Sequence, residues 1–286
     1  MAKTQAKKVE NKKELIAPNT AIKLTLTWAE VAPVYQKVLT KMARRVKQPG
    51  FRVGKVPPHI AEGLLGYYAI VDQVLQEILP AKYAAAIKKS GKKPLTNPDI
   101  KPVSIDKGKD WELTAEIAEE PEVKLTGYQK VVKEAVKHDR DAINRVSTEK
   151  AKDKEDHLLS HIFKALVAKF GPAIPELLLK DQVQREIYRL EQDLKQMQLT
   201  LEDYLKKQNK TFEQFSQSLA VEKLGQLQLE FILQNLIKLE ELEATPEEID
   251  SKTSEIKDKP DSYRAYFKTV IERDKAIKHL LTFSSK

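Results

Sequence analysis

Glycine is spread so unevenly along this chain that it constrains where β-structure can form. Of nine glycines in 286 residues, seven lie at or before Gly127, and only Gly171 and Gly225 follow. Tight turns, bulges and left-handed positions favour glycine because a Cβ is sterically disfavoured there. The first part can therefore carry strands and sharp turns, while the remainder reads as almost wholly helical. The expected fold is multidomain and mainly helical, an α+β N-terminal domain followed by an elongated all-α C-terminal domain.

Local patterns subdivide each half. Residues 1–13 are polar and lysine-rich, and a disordered basic tail is expected. Ala21 to Thr27 alternates apolar and polar residues, as a half-buried strand does. Thr27 and Glu30 have capping-box spacing. The helix behind them sets Val31, Tyr35, Val38, Met42 and Val46 on one face and Lys37, Lys41, Arg44 and Arg45 on another. Pro49, Gly50, Gly54, Pro57 and Pro58 then force a loop. A second helix is expected over about Ile70 to Lys89, with Val71, Val74, Leu75, Ile78 and Leu79 as its stripe and Gly91 closing it. Pro80 should kink or split it. Strands are expected at Ile100–Ile105 and Trp111–Ile117, joined by a turn at Lys107-Gly108. Residues 119–155 read as linker-like.

Helices dominate from Leu158. Leu158, Leu159, Ile162, Phe163, Leu166, Val167 and Phe170 keep helical spacing up to Gly171-Pro172. Pro175 opens a long helix, Thr211 N-caps another reaching about Leu242, and Thr245-Pro246-Glu247-Glu248 starts the next. A last helix is expected from about Ser262 to Thr282. Its Tyr263, Tyr266 and Phe267 read as core.

Composition removes several function classes. There is no cysteine, so disulfides, zinc–thiolate sites and cysteine nucleophiles are excluded. No apolar run approaches the roughly 18 residues of a membrane span, and no apolar segment follows the basic N-terminus as in a secretory signal. No membrane partner and a cytoplasmic location are expected. His157 and His161 stand at i, i+4 without a third ligand nearby, and they read as a solvated edge rather than a metal site. No phosphate-cradling, nucleophile-elbow or zinc-hydrolase motif occurs. Hence no catalytic residues, cofactor, metal or small-molecule substrate are expected.

The net charge is +8, and its placement is more informative than its size. No Asp or Glu occurs from Val31 to Ala61, whereas Lys37, Lys41, Arg44, Arg45, Lys47, Arg52 and Lys55 all lie there. Such a single-sign window favours a polyanionic partner. Within it, Gly50-Phe51-Arg52-Val53-Gly54-Lys55-Val56-Pro57 displays an aromatic and two cations on a Gly/Pro-held backbone. Phe51 can enter an apolar pocket while Arg52 and Lys55 pair with phosphates or carboxylates.

After a strand and a basic amphipathic helix, this loop resembles the ribosome-docking signature of the trigger factor family. The downstream order LTNPDI and WELTAEIAEEPEVKL is similar to the end of that family's ribosome-binding domain. Ile174-Pro175-Glu176-Leu177-Leu178, LEDYLKKQNKTFEQF and VIERDKAIKHLL are similar to its helical C-terminal chaperone domain. The resemblance covers roughly 14–128 and 155–283. It implies a ribosome-binding domain over 14–128, a linker over 129–155 and a chaperone domain over 156–286.

The same resemblance implies that Phe51 and Arg52 contact a large-subunit protein and rRNA at the tunnel exit, framed by Gly50, Gly54 and Lys55, with Arg44 and Arg45 alongside. Val53 departs from the lysine common at its position. The resemblance further implies an ATP-independent chaperone with a helical cradle for nascent or unfolded polypeptides. Phe212, Phe215, Leu219, Leu227 and Phe231, interleaved with glutamines, suit such promiscuous contact. The family's FKBP-like prolyl-isomerase module has no room between Tyr128 and His157, so no isomerase activity is expected. The alternatives are a basic nucleic-acid- or ribosome-binding protein with no client role, and a residual prolyl isomerase.

Overall fold

The computed structural model describes residues 14–52, 54–143, 151–254 and 260–284. The expected tail over 1–13, the departure at Val53 and the 144–150 part of the expected linker lie outside the described residues. In chain order the elements are β1 (Ile16–Ala17), β2 (Thr20–Leu26), α1 (Trp28–Ala43), α2 (Pro58–Leu65), α3 (Tyr67–Ser90), β3 (Asp99–Ser104), β4 (Trp111–Ile117), α4 (Tyr128–Ile143), α5 (Ala151–Phe170) and β5 (Ile174–Pro175), then α6 (Glu176–Gln196), α7 (Leu201–Lys207), α8 (Phe212–Leu239), α9 (Pro246–Thr253) and α10 (Pro260–Leu281). The chain forms two compact units. One is Pro18–Glu120, and the other combines Met1–Ala17 with Pro121–Lys286. Among the described residues no helix is long and apolar enough to cross a membrane.

The α+β unit is a three-stranded antiparallel sheet, β2-β4-β3, covered by helices on one face. Alternation along β4 turns Trp111, Leu113, Ala115 and Ile117 inward, and the register sets Leu24 opposite Leu113 and Leu26 opposite Trp111. Val31, Tyr35, Val38 and Leu39 of α1 and Ile70, Val71 and Val74 of α3 close this core. Full burial contributes roughly 1.5–3 kcal/mol for each large apolar side chain. The register slips between Pro102 and Ser104 on the outer strand β3, where proline removes a ladder donor.

Two expectations differ here. Of the expected kink or split at Pro80, the split does not occur, and α3 runs unbroken from Tyr67 to Ser90. Pro80 is exposed, so water can satisfy the carbonyl it leaves without a donor. The prolines at 57 and 58 also start the unforeseen helix α2, with Pro58 at its first position.

In the helical unit, β1 pairs in parallel with β5, Ile16 opposite Ile174. The core brings together Leu125, Tyr128, Val132 and Val136 with Ile162 and Leu166 of α5, Ile232 and Leu236 of α8, and Ala276 and Leu280 of α10. The linker expected over 129–155 is therefore corrected where described: its first part is α4. Tyr128, Val132 and Val136 repeat every four residues and pack into the core.

Candidate functional site

The loop between α1 and α2 is held by its own backbone and by a small apolar contact. As α1 ends, the Arg45 amide donates to Met42 O and the Val46 amide to Ala43 O, at 2.9 and 3.2 Å. Two turns follow, with the Phe51 amide donating to Gln48 O at 3.1 Å and the Lys55 amide to Arg52 O at 2.9 Å. Gly50 and Gly54 have φ of 87° and 79°, a region side chains rarely adopt. At the loop's far root, Val56 is buried with Ala43 and Ala61.

This frame leaves the recognition groups outside. Phe51 is 40% exposed, and Arg52, Lys55, Arg44 and Arg45 are all exposed. Among the described residues no carboxylate lies within ion-pair distance of those four cations. Lys37, by contrast, is 2.9 Å from Glu77, and that hydrogen bond holds the Glu77 carboxyl below the ordinary carboxylate range. The four cations are thus without an ion-pair partner among the described residues, although Arg45 lines surface hollows with Asp72 and with Glu77, and Glu77 of α3 balances part of the basic face of α1.

In the helical unit a groove of about 640 Å³ runs between α8 and α10. Leu229, Leu233 and Ile237 form its apolar part, with Gln226, Glu230, Gln234, Thr269, Glu272 and Arg273 also lining it. Of the residues expected to contact clients, Phe212 is exposed and Phe215 half-buried. Leu219, Leu227 and Phe231 are buried and support α8 instead. The aromatic expectation on α10 also needs correcting. Tyr263 and Tyr266 are 45% and 62% exposed, and only Phe267 is half-buried. Helical spacing marks a shared face but not whether another element covers it. The rings of His157 and His161 stand 4.7 Å apart, and the described residues contain no group of three or more His, Asp or Glu placed to hold a metal.

The family model for bacterial trigger factor protein (TF) matches residues 7–150, and that for the bacterial trigger factor protein (TF) C-terminus matches 137–281. The chain belongs to the trigger factor family. The two matches overlap at residues 137–150. Similar relatives include the trigger factors of Corynebacterium jeikeium, 33% identical over 133 residues, and Mycobacteroides abscessus, 36% identical over 104 residues. The alignments cover 46% and 36% of this chain but only 25% and 21% of those relatives. The Streptococcus suis trigger factor is 32% identical over 143 residues, half of this chain and 32% of its own. The chain thus matches a third or less of these relatives' length. A solved structure concerning promiscuous substrate recognition in folding and assembly activities of the trigger factor chaperone shares the fold. It has a TM-score of 0.54 and 14% identity, with 95% of this chain and 99% of that chain covered.

Proposed function

We propose that this protein is an ATP-independent cytoplasmic chaperone that docks on the large ribosomal subunit and holds nascent or unfolded polypeptides. The carrying observation is the loop at 50–55, which presents a part-exposed Phe51 beside Arg44, Arg45, Arg52 and Lys55, none ion-paired among the described residues. Cations without carboxylate partners keep their full attraction for phosphate, and the aromatic adds an apolar anchor. The groove between α8 and α10 supplies the client surface, mixing aliphatic side chains with glutamines able to adapt to many sequences. Membership of the trigger factor family supports the same reading. Residues Tyr128–Ile143, in the segment where the resemblance leaves no room for an isomerase module, form the packed helix α4, which supports a chaperone without prolyl-isomerase activity.

Co-sedimentation with purified large subunits tests the docking. The double variant Phe51→Ala, Arg52→Ala is expected to lose binding while melting as the parent does. The parent's affinity should fall with salt, each neutralised phosphate adding about −0.7 to −0.9 to the log–log slope. Undiminished co-sedimentation of the folded double variant rules the assignment out. Binding that persists without any suppression of client aggregation would favour a plain RNA-binding role.

A further inference from the structure

The acid-free stretch ends at Glu62, one helical turn into α2, and that first acid is tied to the interior. Its Oε1 accepts a hydrogen bond from the Tyr35 hydroxyl at 2.7 Å and another from the Lys107 ammonium. Tyr35 is fully buried in the sheet–helix core, and Lys107 belongs to the turn between β3 and β4. Lys107 Nζ also lies 5.5 Å from the centroid of the Tyr35 ring. One carboxylate therefore joins α1, α2 and the β-hairpin turn. Both partners hold its carboxyl below the ordinary range, the Lys107 bond contributing most.

The position of this joint matters because α2 starts directly after the docking loop. The apolar contact at the loop's root consists of buried Val56, Ala43 and Ala61 with half-buried Val46, Ile60 and Leu65 packed against them, and such contacts are non-directional. On α2 itself Ile60, Ala61 and Leu65 pack inward, while Leu64 is 50% exposed and Gly63 has nothing within 4 Å of its Cβ position. Charge-assisted bonds into the core add a directional restraint to that apolar packing.

We infer that Glu62 is a positioning residue for docking: by tying α2 to Tyr35 and Lys107 it holds the loop in the pose that presents Phe51 and Arg52. This rests on the docking reading above. A loop already held in its bound pose loses less conformational freedom on binding, which raises affinity without adding a contact.

The sign of one substitution separates this role from simple electrostatics. Glu62→Ala removes an acid beside a cationic loop, so charge alone predicts tighter binding to a ribosome. Positioning predicts the opposite, a weakening of about fivefold to tenfold. Tyr35→Phe removes one of the two bonds of the tie without changing charge and should weaken binding in the same direction, by less than Glu62→Ala. Glu62→Gln keeps an acceptor for Tyr35 and should fall between Glu62→Ala and the parent. The log–log salt slope should stay at the parent's value in Tyr35→Phe, because no phosphate contact is lost.

The experiment measures large-subunit affinity against salt for these variants and for Phe51→Ala, Arg52→Ala, with hydrogen exchange on each free protein. Glu62→Ala should speed exchange at the Phe51 and Lys55 amides while the amides of the β2–β4 ladder keep their protection. If the double variant is inert but Glu62→Ala binds as tightly as the parent or tighter, docking stands and the positioning role is overturned. Unchanged exchange at Phe51 and Lys55 in Glu62→Ala overturns it as well. If the double variant binds like the parent, the docking reading has failed, and the positioning role fails with it even where exchange shows a loosened loop.

Discussion

The phenol of Tyr128 donates to Oε1 of Glu240 at 2.7 Å, bonding the first turn of α4 to the residue that caps α8. A phenol has one hydrogen, so the contact of the same oxygen with His279 Nε2, at 2.9 Å, has the imidazole donating. Burial, reinforced by Glu240, pushes the Tyr128 phenol up to about 12. A raised tyrosine contributes stability in full below its unfolded value of about 10, and loses that contribution as pH climbs through the folded value. Tyr128→Phe should destabilise the helical unit by about 1–2 kcal/mol at neutral pH, as expected for one hydrogen bond to a charged, part-buried acceptor. The gap between parent and variant should shrink between pH 10 and 12. Denaturant titrations at pH 7 and in the alkaline range measure both, and a gap constant across that range contradicts the assignment.

Gly171 presents a different constraint, set by space. A Cβ there would lie 2.5 Å from Val167 O and 3.1 Å from Gln228 Cδ. Gln228 is buried and donates its side-chain amide to Pro172 O at 2.8 Å, so it is committed at that site. Gly171→Ala is expected to cost about 1–3 kcal/mol, because the close neighbour is a backbone carbonyl that cannot rotate aside. Adding Gln228→Ala should not restore stability, since the Val167 clash remains. A melting temperature equal to the parent's in Gly171→Ala would show that the chain turns away at no cost.

What could be read in the sequence was whatever repeats over a short range. The alternation of Trp111, Leu113, Ala115 and Ile117 places one face of β4, the capping box at Thr27 forms as its spacing predicts, and Thr211 and Thr245 start their helices as expected. The helix α4 escaped notice because lysines surround Tyr128, Val132 and Val136, although their spacing of four was present. The Pro57-Pro58 pair looked like a breaker when it starts α2. The pairing of Ile16 with Ile174 joins distant two-residue segments and leaves no local trace. At the site, glycine and proline revealed the loop's frame and composition its charge. The tie from Glu62 to Tyr35 and Lys107 spans three elements, so no spacing rule could find it.

The exposed side chains of α10 test the client surface without disturbing the core. Tyr266 is 62% and Val270 43% exposed, one turn apart and close in sequence to Thr269 and Arg273, which line the groove. The double variant Tyr266→Ser, Val270→Ser removes apolar surface that is already in water, so its stability should change by less than about 0.5 kcal/mol. Light scattering of a chemically unfolded client should show weaker suppression of aggregation, while co-sedimentation with ribosomes stays at the parent's level. Full suppression by the folded variant would move the client surface away from this face.

The last prediction concerns an activity that family membership would suggest. Accelerating prolyl isomerisation means lowering a barrier of about 18–20 kcal/mol, which takes a dry apolar pocket closed around the proline ring. In the segment that could have been replaced by such a module, α4 turns Tyr128, Val132 and Val136 into the core and leaves Lys130, Lys133 and Lys137 exposed. Its apolar residues are consumed by packing against α5, α8 and α10, and its exposed face is charged. The described side chains lining the hollow along its exposed face, Gln129, Lys130, Lys133, Glu134 and Lys137, are all polar or charged. The two family matches also overlap within this segment, at 137–150. A coupled-protease assay on a prolyl peptide, with the protein at micromolar level, should return the uncatalysed rate. The same preparation should still suppress client aggregation, which shows that it is folded and active as a holder. Acceleration that survives repurification and vanishes on substituting a defined cluster of side chains would place a catalytic pocket elsewhere in the chain.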